Sequence, residues 1–175
     1  MGLFDKVNIS NIFHSFGLTN NDIFTTLVDK NIVPLKLNEY ENKSISFQQL
    51  FDITHIQFDI YVTNLSQSKS EIWNHITQPD MPISFAIKIT TCLPFVFEPV
   101  YFNDEIYVDG SVMDNFPYNI HHDPKSTLNI ALVSKNENYK ITSFFDYLNR
   151  IFSIIVNKSK GNSYLTEKNT IFIQK

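Results

Sequence analysis

The sequence of 175 residues is 43% hydrophobic and 14% aromatic and carries a formal net charge of −4. Disordered chains combine low hydrophobicity with high net charge, so this composition predicts a folded protein of about one domain. No run of Lys and Arg of the kind that contacts phosphates is present, which argues against nucleic acid as a partner.

Hydrophobic residues recur every three or four positions in several stretches, which predicts amphipathic helices. These stretches are residues 9–31 with a break at 17–21, 47–51, 83–90 and 143–155. Residues that favour helix starts precede or open three of them: Asn20 or Asn21, Ser46 and Ser143 are candidate caps. Pro82 suits a first helical turn.

Runs rich in β-branched and aromatic residues, or nearly continuous in apolar residues, predict strands. These runs are residues 57–64, 71–74, 105–108, 127–133 and 170–173. Residues 93–101 contain Pro94 and Pro99, and we expect them to lack regular structure. Helices that alternate with strands indicate an α/β fold.

Glycine is scarce, with four residues that lie far from one another: Gly2, Gly17, Gly110 and Gly161. Loops that bind phosphates or oxyanions need closely spaced glycines, because the backbone must approach the ligand. The spacing excludes a P-loop, a dinucleotide fingerprint and a Gly-x-Ser-x-Gly nucleophile elbow within these residues.

A single cysteine, Cys92, cannot form an internal disulfide, which favours a reducing compartment. The first residues lack the apolar core of a signal peptide, and no apolar run approaches the length of a membrane span. These features predict a cytoplasmic protein. A buried structural role for Cys92 is favoured over Cys–His nucleophile chemistry.

Two neighbouring stretches, residues 80–100 and 107–117, carry the most specific pattern. Together with residues 17–18 and 58–65 they form an ordered series that resembles the patatin-like phospholipase family. The matching positions are Gly17, Leu18, Thr63, Asn64, Leu65, Ala86, Ile87, Lys88, Thr90, Pro94, Phe97, Pro99, Val100, Tyr107, Val108, Asp109, Gly110, Asn115 and Pro117. The resemblance identifies residues 1–125 as a partial patatin-like domain. Residues 126–175 are a strand–helix–strand that completes or flanks it.

The resemblance implies a patatin-type central sheet flanked by helices, whose N-terminal strands and nucleophile elbow are missing from this chain. It implies acyl hydrolysis of a lipid or phospholipid by a Ser–Asp dyad without a cofactor. Asp109 takes the role of proton acceptor, and Asp109, Gly110 and Ser111 form the family's D-G-A/G motif, from which Ser111 departs by its hydroxyl. Serine needs an adjacent base, and burial raises the proton affinity of a carboxylate. Such a substrate would allow peripheral contact with membranes.

Several alternatives stay open. Asp-Gly at a strand end is by itself typical of an ordinary turn. The chain is either an enzyme completed by an N-terminal segment, or an inactive remnant that binds lipid or protein. His121, His122 and Asp123 are interpreted as a solvated turn rather than a metal site, so no metal is expected. The segment 93–97 favours core packing over an apolar rim that contacts acyl chains.

Overall fold

The computed structural model describes residues 11–32, 44–117, 127–133, 140–159 and 170–174. The chain divides into two compact units, Met1–Ser111 and Val112–Lys175. The boundary at residue 125 that was predicted from the sequence lies outside the described residues.

The first unit combines short helices with short strands, as an α/β fold requires. Its helices are α1 (Asn11–Ser15), α2 (Asp22–Leu27, continued by a π-helical segment at Val28–Ile32), α3 (Phe47–Thr54) and α4 (Ile83–Thr90). Its strands are β1 (Gly17–Thr19), β2 (Ile60–Asn64), β3 (Lys69–Trp73), β4 (Phe95–Phe97), β5 (Val100–Phe102) and β6 (Glu105–Asp109). The predicted α/β class is confirmed.

The strands of this unit form two sheets. The larger has the order β3-β2-β6-β5, and each neighbouring pair is antiparallel. The smaller is a parallel pair of β1 and β4, in which Gly17 lies opposite Phe95. β2 and β6 are therefore the inner strands of the larger sheet, and their side chains have neighbours on both flanks.

Helix α4 supplies much of the core because one of its faces is apolar. Ile83, Ala86 and Ile89 on that face are buried, and they belong to a cluster that includes Val62 of β2 and Trp73 of β3. Full burial of an isoleucine side chain contributes about 1.5–3 kcal/mol. This packing fixes α4 against the larger sheet.

Local signals explain where α3 begins. The Gln49 N–H donates to Ser46 Oγ at 3.3 Å, and the Ser46 N–H donates to Gln49 Oε1 at 2.9 Å. This reciprocal capping box satisfies two N–H groups that the first turn leaves unpaired. The predicted start of the helix after Ser46 is confirmed.

The expectation that residues 93–101 lack regular structure is wrong. β4 lies in this stretch and β5 begins in it. Pro94 precedes β4 and Pro99 lies between the two strands, so neither proline occupies a strand position where its missing N–H would break a ladder. The helix break predicted at residues 17–21 likewise contains a strand, β1. β1 and β4 stabilise each other by pairing, which the local sequence of either does not reveal.

The second unit contains β7 (Asn129–Val133), α5 (Phe144–Ser159) and β8 (Thr170–Gln174) among its described residues. β7 and β8 pair in parallel, with Asn129 opposite Thr170. Ser143 caps α5, since the Asp146 N–H donates to Ser143 Oγ at 3.0 Å. These described elements follow one another as strand, helix and strand.

Candidate active site around Asp109

Asp109 is the last residue of β6, one of the two inner strands. Its Cα lies opposite that of Val62 on β2, and its backbone N–H donates to the carbonyl oxygen of Cys92 at 3.0 Å. Cys92 follows the C-terminal end of α4. The residue predicted from the sequence to be the proton acceptor is therefore held from two sides, by β2 and by the chain leaving α4.

The carboxyl group of Asp109 is half-buried and accepts a hydrogen bond from the Ser111 N–H at 2.8 Å. Burial raises the pKa of Asp109 above its ordinary value, and hydrogen bonds from the backbone and hydroxyl of Ser111 offset only part of that increase. Burial disfavours the charged form of a carboxylate, so this group binds a proton more readily than an exposed aspartate. That property suits a general base.

Gly110 allows the chain to pass very close to β2. A Cβ at this position would lie 2.5 Å from the carbonyl oxygen of Tyr61 and 2.8 Å from its carbonyl carbon. The φ angle of Gly110 is not in the left-handed region, so the need for glycine is steric. Every other residue would push the chain next to Asp109 away from β2.

Two threonines that received no role from the sequence bind the backbone around Asp109. Thr63 Oγ1 donates to the Gly110 carbonyl oxygen at 3.4 Å, and Thr90 Oγ1 donates to the Tyr61 carbonyl oxygen at 2.7 Å. Thr63 is buried and Thr90 is half-buried. Both belong to the series of positions that match the family's motifs. This match is the feature of the sequence from which their role could have been found.

Cys92 is fully buried, as the sequence predicted for a structural thiol. Its Sγ donates to the Glu98 carbonyl oxygen at 3.0 Å. Burial, together with the negative charge of Asp109, raises the pKa of the thiol to about 12. A thiol in this state is a poor nucleophile, because the thiolate is the reactive form.

The histidines that the structure describes are not grouped into a site. His14 and His55 are exposed, and half-buried His75 stacks on Phe51 with ring centroids 3.9 Å apart. The candidate turn at residues 121–123 lies outside the described residues. Within the described part of the chain, no three His, Cys, Asp or Glu side chains are grouped so that they could hold a metal ion.

The segment 93–97 divides into buried and exposed side chains. Val96 and Phe97 are buried, as core packing predicts, whereas Leu93 is 37% and Phe95 46% exposed. Phe95 has a φ of 69°. A bulky residue rarely adopts this left-handed conformation. The exposed part of the segment follows Cys92 directly, so it begins beside the backbone of Asp109.

A family model described as patatin-like phospholipase matches residues 2–120. The chain belongs to the patatin-like phospholipase family. The resemblance inferred from the ordered motifs is confirmed, and these motifs lie within the matched residues. The family is one of lipid acyl hydrolases.

Two viral proteins are similar to this patatin-like chain. A probable lipid hydrolase, 463L of Invertebrate iridescent virus 6, is 33% identical over 79 residues, covering 45% of this chain and 27% of that protein. An uncharacterized protein, R571 of Acanthamoeba polyphaga mimivirus, is 25% identical over 166 residues, covering 90% of this chain and 53% of that protein. The chain thus spans about a quarter to a half of the length of these relatives.

Among solved structures, VipD from Legionella pneumophila is similar to this chain in fold. The TM-score is 0.51 at 16% sequence identity, and the match covers 74% of this chain and 29% of VipD. At this level of identity the similarity supports the fold alone. No helix in the described parts of the chain is long and apolar enough to cross a membrane.

Proposed function

We propose that this chain contributes the general base of a Ser–Asp dyad that hydrolyses lipid acyl esters, with Asp109 as the proton acceptor. The observation that carries the proposal is the carboxyl group of Asp109. It lies at the end of an inner strand, is held by the Ser111 N–H, and has a pKa raised by burial. A base with raised proton affinity is suited to accepting the proton of a serine hydroxyl near neutral pH.

In the proposed reaction, the serine Oγ forms a bond to the ester carbonyl carbon while its proton passes to Asp109. The proton then moves to the leaving alcohol oxygen as the ester bond breaks, and an acyl-enzyme remains. Water repeats the sequence, with Asp109 accepting its proton, and the fatty acid leaves as the serine is regenerated. Splitting the hydrolysis into two steps is the advantage of a covalent nucleophile.

We assign the serine to a complementing N-terminal segment, encoded upstream or present on another chain. Two observations support this assignment. The 175 residues contain no Gly-x-Ser-x-Gly elbow. The viral relatives are about two to four times as long as the aligned region. The catalytic centre would then form where that segment meets Asp109.

We further propose that the substrate is a lipid and that the exposed Leu93–Phe95 segment contacts its acyl chains, with peripheral contact to the lipid surface. Residues 92–97 contain no charged side chain. Phe16 has a φ of 61°, is 55% exposed, and precedes Gly17, which lies opposite Phe95. Left-handed backbone at bulky residues stores strain and is concentrated at functional sites. These two strained, exposed aromatic residues stand at the start of the paired strands β1 and β4, and β4 follows the chain that holds Asp109.

Ester hydrolysis by the chain produced together with its upstream segment tests the dyad. Asp109→Asn should lower kcat/KM by roughly 10²–10⁴, which is the usual contribution of a general base. The matched control is Asp104→Asn, because Asp104 is an exposed carboxylate in the turn between β5 and β6. Equal rates for wild type and Asp109→Asn would exclude Asp109 as the base.

The absence of a nucleophile elbow from the 175 residues favours one alternative, an inactive remnant that binds lipid or protein. Two results would support it over the enzyme: an upstream nucleotide sequence that encodes no Gly-x-Ser-x-Gly, and sedimentation of the chain with phospholipid vesicles without release of fatty acid.

A further inference from the structure

The Asp109–Gly110 dipeptide is held by groups from two different elements. The Asp109 N–H donates to the carbonyl oxygen of Cys92, in the chain that leaves α4, at 3.0 Å. β2 lies against Gly110 through the Tyr61 carbonyl group, and it also binds the Gly110 carbonyl oxygen through Thr63. The position of the Asp109 carboxylate therefore depends on how α4 and β2 are placed relative to each other.

A side-chain hydrogen bond joins these two elements beside the dipeptide. Thr90, the last residue of α4, donates from Oγ1 to the Tyr61 carbonyl oxygen at 2.7 Å. The β2–β6 ladder ends at the pair Val62–Asp109, so Tyr61 lies one residue beyond it, against Gly110. The threonine hydroxyl thus reaches the sheet at the point where the two strands stop pairing.

We propose that Thr90 is a positioning residue for Asp109, because its hydroxyl fixes the end of α4 against β2 at the carbonyl on which Gly110 packs. The proposal rests on the proposed function, in which Asp109 is the base. A base misplaced by about 1 Å loses on the order of 100-fold in rate, so a bond that sets how its two supports lie affects catalysis without touching substrate. Thr90 acts through Asp109 and is not itself catalytic.

The first test measures Asp109 in the full 175-residue chain and needs no activity. The pKa of the Asp109 carboxyl is followed by NMR of carbon-13-labelled aspartate in wild type, Thr90→Val and Thr90→Ser. Valine keeps the shape and removes the donor, whereas serine keeps the donor. We expect the pKa to fall towards the ordinary aspartate value in Thr90→Val, because a displaced carboxyl is better hydrated, and to stay at the wild-type value in Thr90→Ser.

Thr54→Val is the matched control. Thr54 Oγ1 donates to the Leu50 carbonyl oxygen at 2.7 Å, within α3 and away from Asp109. The Thr54→Val variant loses an equally short hydrogen bond, so it shows how the Asp109 pKa responds to such a loss elsewhere in the fold. An Asp109 pKa that moves equally in Thr54→Val and Thr90→Val, or in neither, would overturn the proposal. Thr90→Ala replaces Thr90→Val if valine disturbs the fold, and the same criterion applies.

The second test uses the chain together with its upstream segment. Thr90→Val should lower kcat about 10- to 100-fold with KM changed less than about twofold, and Thr90→Ser should restore kcat. A rise in KM at unchanged kcat would contradict a positioning role. If Asp109→Asn is fully active, the dyad fails while the NMR result still decides whether Thr90 positions the carboxyl.

Discussion

The backbone N–H of Asp109 and the carbonyl oxygen of Cys92 are joined by a hydrogen bond of 3.0 Å. This bond attaches the end of β6 to the chain that leaves α4. It also brings the carboxyl group close enough to the buried thiol for its charge to contribute to the raised pKa of Cys92. The candidate base and the buried cysteine are thus parts of one packed arrangement.

We predict that Cys92 is unreactive in the folded chain. Its thiol is fully buried and has a pKa of about 12, against an ordinary value of 9.0. At pH 8 this lowers the thiolate fraction by roughly a thousandfold, and burial also blocks the reagent. Labelling with a thiol-specific reagent should be slow in the native protein and fast in denaturant. Rapid labelling of the native chain would show that the Cys92 thiol is accessible and not buried.

Asp109→Asn should raise the Tm at neutral pH. Folding raises the pKa of Asp109 through burial, so the folded state favours the protonated carboxyl. Its favourable contribution is complete below the ordinary pKa of 3.8 and is lost as the pH rises through the folded value. Asparagine is neutral at every pH and keeps the acceptor for Ser111.

Melting curves of wild type, Asp109→Asn and the exposed control Asp104→Asn between pH 3 and pH 8 provide the measurement. The gain from Asp109→Asn should shrink as the pH falls. A gain of the same size across this range would mean that ionisation of Asp109 is not its cause.

Gly110→Ala should destabilise the fold by about 1–3 kcal/mol, the usual cost of forcing an extra carbon into a packed site. The added Cβ would lie 2.5 Å from the Tyr61 carbonyl oxygen, so β2 and the turn after Asp109 must separate. Ser70→Ala on β3 is the control, because Ser70 is exposed and such surface changes stay within about 0.5 kcal/mol. Urea unfolding monitored by Trp73 fluorescence measures both, and equal midpoints would refute the close approach.

Asn64→Leu should destabilise the fold by about 2 kcal/mol, because it removes a buried donor shared by three acceptors and the acceptor of the Gln67 N–H. Asn64 is fully buried, and its Nδ2 lies 2.9 Å from Glu71 Oε1, 2.7 Å from Glu105 Oε2 and 3.1 Å from Tyr107 Oη. Leucine has a similar volume but cannot donate. Urea unfolding provides the measurement, and an unchanged free energy of unfolding would mean that these contacts contribute nothing net.

The same network predicts a loss of stability in acid. Burial raises the pKa of Glu71, but hydrogen bonds from Trp73, Asn64 and Lys69, together with the charge of Lys69, outweigh it, so the pKa lies below its ordinary value of 4.5. The stability that Glu71 contributes is therefore present above pH 4.5 and is lost as the pH falls through the folded pKa. Glu71→Gln should flatten the acid limb of a plot of unfolding free energy against pH. An unchanged acid limb would contradict this assignment.

Phe95→Asn should weaken binding to phospholipid vesicles without harming the fold. Asparagine tolerates the left-handed backbone that Phe95 adopts, and it removes an apolar ring that is 46% exposed. Tyr101→Asn removes an aromatic side chain that is 60% exposed from β5 and serves as the control. Vesicle sedimentation should show weaker binding for Phe95→Asn alone. Equal binding by the two variants would argue against a specific contact by the Leu93–Phe95 segment.

Most elements, the family and the position of Asp109 at a strand end could be predicted from local patterns along the chain. Helical spacing, β-branched runs and capping residues are local signals, and the Ser46 and Ser143 caps act within their own helices. The series of motifs leading to Asp109-Gly110 is also read directly along the chain. These features need no knowledge of what packs against them.

Contacts between residues that are far apart in sequence could not be predicted in this way. Asn21 has the type of a helix cap, yet its Nδ2 donates to the Lys88 carbonyl oxygen at 2.5 Å. β4 exists because it pairs with β1, although prolines near it suggested a loop. Likewise, only the packing of α4 on β2 brings Thr90 to Tyr61. Such contacts depend on how whole elements are placed relative to each other. Burial of apolar surface sets this placement, and local sequence patterns do not encode it.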